Sequence, residues 1–128
     1  MTPWGFIQLA EDLDTNGLVW QPEIGDEVSF RENLEKISIL VDPDGMTPTE
    51  LRATFLWLPT IEQLIDQIEA RQGILFHAGL ELTTESVAYK TVIKAPMGHI
   101  EAIGDSMRLA LGGALRDLLS NQTSSCVH

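Results

Sequence analysis

Asp12, Asp14 and Asn16 stand at alternate positions, Gly17 follows directly, and Glu23 closes a segment of twelve residues counted from Asp12. Side-chain oxygens at that spacing suit a hard cation, and calcium, which takes six to eight oxygens, is the ion they fit. Asp12, Asp14 and Asn16 would supply three oxygens, the Leu18 carbonyl a fourth, and Glu23 two more. Gly17 would permit the sharp turn between them, because glycine tolerates positive φ.

The segment resembles an EF-hand calcium loop, and Val19 occupies the position where such loops carry an aliphatic residue; the resemblance covers about a tenth of the chain. It implies a metal set of Asp12, Asp14, Asn16, Leu18 and Glu23. The flanks do not continue the pattern. Gln8 and Glu11 stand where an entering helix needs apolar residues, and Pro22 falls where an exiting helix would begin. A second loop is not matched either: in Asp42-Pro43-Asp44-Gly45, Glu50 falls one position short. The same residues also read as a turn, Asp14-Thr15-Asn16-Gly17, that ends a first helix with residue types suited to left-handed backbone. The turn is the preferred expectation and calcium the alternative.

A second constellation is Gly104-Asp105-Ser106-Met107, which resembles the nucleophile block of GDSL-type hydrolases and would make Ser106 a nucleophile. A nucleophile needs a base and oxyanion donors, and no Asp-x-x-His arrangement follows within the remaining residues. The competing expectation is that Asp105 or Ser106 caps a helix. The histidines, His77, His99 and His128, lack a second His or Cys at metal spacing, so no zinc site is expected. The spacings Glu32…Glu35 and Glu62…Glu69 read as solvated helix surface. No glycine-rich phosphate loop is present. No cofactor and no catalytic residue are therefore expected.

The chain that carries these residues has 128 positions, enough for one domain, and its 44% hydrophobic content supports a core. Its net charge is −11. Residues 1–50 hold 11 acids against Arg31 and Lys36, so the N-terminal part is the acidic part. Such a chain repels phosphate backbones and anionic lipid surfaces, which argues against nucleic-acid and membrane partners. Cys126 is the single cysteine, so no internal disulfide forms and a reducing, cytoplasmic setting is expected. The start, Met-Thr-Pro-Trp, gives no expectation of a signal peptide.

The elements follow from periodicity. Residues 3–11 predict a short helix, 27–31 and 36–41 strands, and Thr47-Pro48-Thr49-Glu50 a capped helix start that turns to extended chain before Pro59. Ile61, Leu64, Ile65 and Ile68 predict an amphipathic helix begun by Thr60 and ended by Gly73. Residues 73–82, 87–94 and 99–103 predict a meander of three strands, and a final helix runs from Asp105 to about Ser120. Gly112 and Gly113 within it predict close packing of helix on sheet. Trp4, Trp20 and Trp57 are read as core plugs.

The expected fold is α+β: an antiparallel sheet of three to four strands with two main helices on one face, in the order β-α-β-β-β-α, after a short N-terminal helix. Residues 1–120 form the domain and 121–128 a disordered tail. The expected role is a small non-enzymatic intracellular interaction or regulatory module working through protein contacts, with self-association as a homodimer. Calcium binding through Asp12–Glu23 is the alternative, and hydrolysis through Ser106 a remote one.

Overall fold

The computed structural model describes residues 3–125, with side chains described for residues 5–121. Helix α1 spans Pro3–Thr15, followed by strands β1 (Glu27–Phe30) and β2 (Asn33–Ile39), helix α2 (Pro48–Thr54) and strand β3 (Phe55–Trp57). Helix α3 (Ile61–Ala70), strands β4 (Ile74–Leu82), β5 (Val87–Ala95) and β6 (Gly98–Gly104), and helix α4 (Met107–Ser125) complete it. The class is α+β, as expected. The strands divide into two antiparallel sheets, β2-β1-β3 and β4-β5-β6. A second sheet was not legible because β3 is only three residues long and pairs with β1 across the whole of β2 and α2. No helix among the described residues is long and apolar enough to cross a membrane.

Local chemistry sets the helix starts. Thr47 accepts from the Glu50 amide at 3.2 Å and Glu50 returns the bond to the Thr47 amide at 3.2 Å, a capping box in front of Pro48. Thr60 and Gln63 repeat the device at 2.9 and 3.2 Å for α3. Leu64 and Ile68 are the fully buried positions of that helix. At its end the left-handed residue is Gln72, with φ 64°, and Gly73 is there for space: a Cβ on it would stand 2.8 Å from Ile68 Cγ2.

Helix α4 is the centre of the molecule. Positions 110–115 are all buried, so it is covered on every side, by α1, α3, β5 and β6. Its two glycines face different neighbours. A Cβ on Gly112 would meet Leu9 Cδ2 of α1 at 2.5 Å, and one on Gly113 would meet Ala102 Cβ of β6 at 3.4 Å. Arg108 ties the arrangement together: it donates to the Leu58 and Pro59 carbonyls at 2.7 and 2.8 Å, pairs with Glu27 at 2.9 Å and lies 4.0 Å over the Phe6 ring. Trp20 and Trp57 are buried, as core plugs should be; the Trp4 side chain, Cys126 and His128 lie outside the described residues. The helix α4 continues to Ser125, past the expected end near Ser120.

Candidate functional site

The structure separates the calcium-type residues. Asp12 and Asp14 lie within α1, not in a loop, and their carboxylates face different partners: Arg116 at 3.7 Å and Arg31 at 3.3 Å. The helix ends in a Schellman turn, with the Leu18 amide bonded to the Leu13 carbonyl at 3.0 Å and the Gly17 amide to that of Asp14 at 3.1 Å. Gly17 holds φ +100°, and Asn16 donates its side-chain amide to the Asp12 carbonyl at 2.8 Å. Asn16 is thus engaged in the helix end, and Glu23 gives its backbone amide to Asp26. Of the alternative set of Asp12, Asp14, Asn16, Leu18 and Glu23, the structure places Asp12 and Asp14 on different sides of α1, because residues two apart on a helix do not share a face. Among the described residues no group of three or more His, Cys, Asp or Glu side chains converges in a way that could hold a metal.

Ser106 takes the capping role. Its hydroxyl accepts from the Leu109 amide at 3.2 Å and its carbonyl accepts from Ala110 at 3.0 Å. His77 and His99 lie on β4 and β6 with exposed side chains.

What the structure does bring together is a buried carboxylate. Asp26, 5% exposed, accepts from the Trp20 indole at 2.9 Å, the Glu23 amide at 3.0 Å and the Gln63 side-chain amide at 2.8 Å. Three donors on one carboxylate compensate its loss of water, so Asp26 holds the segment after α1 onto α3. Nothing in the sequence signals this, because its partners lie 3, 6 and 37 residues away.

Two surfaces have the character of binding sites. One is the sheet β4-β5-β6. Ile93 and Ile100 face α4, with the opposite face carrying Lys90 between Glu81 and Glu101 at 3.7 and 3.6 Å, and Lys94 lying 4.3 Å over Phe76. β4 is a sheet edge, and Ile74, Phe76, Leu80 and Leu82 on it are more than half exposed. The other is a cleft of about 180 Å³ between the end of α1, residues 18–20 and β3, where Arg31 and Arg52 meet an aromatic wall. Its one trace in the sequence is Arg31, one of only two bases among 50 strongly acidic positions. No protein family, curated protein or solved structure matches the chain.

Proposed function

We propose that this chain is a non-enzymatic interaction module of the cell interior that works through protein contacts along the outer edge of β4, its first partner being a second copy of itself. The observation that carries the reading is the make-up of that edge. β4 is nine residues long and presents its unpaired backbone groups beside exposed apolar side chains. Sheet edges are normally blunted with Lys, Pro or brevity, and β4 has none of these. Its single formal charge, Glu81, is paired with Lys90 of the neighbouring strand.

Two further arguments select a second copy. A chain of net charge −11 repels itself over most of its surface, and β4 is a stretch where that repulsion is smallest. The regular part of β4, after the irregularity between Leu75 and His77, also complements itself. A twofold axis at Leu80 sets Leu80 against its own copy and Ala78 against Leu82 on one face, since side chains alternate with a period of two. Leu82, 72% exposed at the free end of the hairpin, would be covered in the same step.

Sedimentation equilibrium tests this. The native chain is expected to be dimeric, and Leu80→Lys, at an exposed position, monomeric with an unchanged far-UV spectrum. In a Cys126→Ser background, Leu80→Cys is expected to oxidise to a linked dimer. A native chain that stays monomeric at every concentration, or a Leu80→Lys dimer, refutes the proposal.

A further inference from the structure

We propose that the cleft between α1 and β3 is a binding site for a carboxylate carried on a short apolar or aromatic body. Arg52 donates through Nε to the Trp20 carbonyl at 2.6 Å, and Arg31 donates through Nε to the Arg52 carbonyl at 2.8 Å. Each guanidinium is thereby fixed by its inner nitrogen. The terminal nitrogens of Arg52 meet no acceptor among the described residues, and one terminal nitrogen of Arg31 is taken by Asp14 at 3.3 Å. A planar guanidinium held from behind, with its outer edge open, is the arrangement that receives a carboxylate through two parallel bonds.

A buried donor without a partner also belongs to a residue of the lining. Trp57 is 8% exposed and lines this cleft, and its indole Nε1 is a buried donor with no partner among the described residues. Trp57 also lines a second, separate hollow with Glu23, Asp26 and Gln63. Orphaned buried donors are rare in proteins, and a ligand acceptor is one of the few things that account for them.

Charge and size narrow the class. Two guanidiniums against the single Asp14 carboxylate leave one positive charge in the cleft, which a carboxylate balances and a phosphate dianion overshoots. Placing that charge here is notable in the acidic part of the chain, where it attracts anions that the remaining surface repels. The walls, Trp20, Phe55 and Leu56 with the exposed Val19 at the mouth, accept an apolar body. A volume of about 180 Å³ is below that of a drug-sized pocket, so the ligand is small or enters by one end only.

The same chemistry arises in a free organic acid and in the C-terminal carboxylate of a protein, and the experiment separates them. Phenylacetate and phenylacetamide are titrated against the intact chain, reading calorimetric heat and tryptophan emission. Beside them go a peptide ending in Phe with a free carboxylate and its amidated form. Phenylacetate is expected to saturate one site, with the amide at least about tenfold weaker. The same ratio between the two peptides at higher affinity assigns the site to protein C-termini; a ratio seen only in the small pair assigns it to free acids. Arg52→Gln is expected to weaken the carboxylate at least about tenfold and to weaken the amide less, so that the ratio between acid and amide falls. Val19→Glu, which sets a carboxylate at the mouth at a 54% exposed position, is expected to weaken the acid more than the amide without removing a structural bond. Equal binding of acid and amide, no saturable heat from either acid, or full affinity in both variants overturns the proposal.

Discussion

The three donors on Asp26 allow a prediction with a definite sign at each step. In Asp26→Asn the new side chain best keeps its oxygen toward the Trp20 indole and the Glu23 amide, which share Oδ2 in the native chain. Its nitrogen then faces the Gln63 side-chain nitrogen, donor against donor. Gln63 cannot turn over to help, because its oxygen is engaged by the Thr60 amide at 2.9 Å in the capping box of α3. One buried donor is left without an acceptor, at about 1–3 kcal/mol. Relief of a desolvated charge offsets part of the weakening at Trp20 and Glu23, so the expected loss of stability is about 2 kcal/mol. Gln63→Glu alone sets two carboxylates together and is expected to lose at least as much. The double variant Asp26→Asn/Gln63→Glu satisfies every partner again: one oxygen at 63 accepts from Thr60 and the other from the new amide. Its stability is expected within about 1 kcal/mol of the native chain, a coupling of at least about 3 kcal/mol, at the top of the usual 0.5–3 kcal/mol. Urea unfolding of the four proteins, followed by far-UV circular dichroism, measures the cycle. Additive losses, with coupling below about 0.5 kcal/mol, would refute the reasoning.

The adjacent glycines of α4 are expected to respond in opposite directions to alanine. Gly113→Ala gains about 1 kcal/mol of helix propensity with its Cβ in ordinary contact with Ala102, whereas Gly112→Ala drives into buried Leu9 and loses about 1–2 kcal/mol net, both read from thermal unfolding. Millimolar calcium is expected to leave the melting temperature of the native chain and of Glu23→Gln alike unchanged, since Asp12 and Asp14 diverge on α1; a calcium-dependent rise lost in Glu23→Gln would show that the segment rearranges to bind. Ser106→Ala is expected to cost about 1 kcal/mol in urea unfolding, the value of a helix cap, with Ser106→Asp restoring it.

What could be read from the sequence was local. Thr47, Pro48 and Glu50, and Thr60 with the Ile61–Ile68 stripe, carry their instructions within four to eight residues, and the elements stand where those instructions put them. The meander of β4, β5 and β6 was legible from alternation and from the turn residues between its strands. The first sheet was not, because β1 joins β3 across 25 or more residues and its apolar residues are few. Helix α1 runs past residue 11 to Thr15, where the Asp14–Gly17 turn, legible from its residue types, ends it. The cleft was illegible for a related reason. Arg31 and Arg52 come from different elements, and only the pairing of β1 with β3 makes them neighbours. The oxygen-rich spacing of Asp12 to Glu23 matched a loop in residue type, yet a spacing of side chains along a sequence has no meaning for a metal until the backbone between them is known.

Helix α4, around which the other elements pack, follows all of them in the chain. During synthesis the ribosome therefore releases both sheets and three helices before the piece that covers them. Until α4 is made, Leu64, Ile68, Ile93 and Ile100 lack the helix that covers them. Apolar surface left open in an incomplete chain is prone to associate, so the interval before α4 is made is the one in which this chain is most exposed to it. The negative charge of residues 1–50, which precede that surface in the chain, opposes association during the same interval.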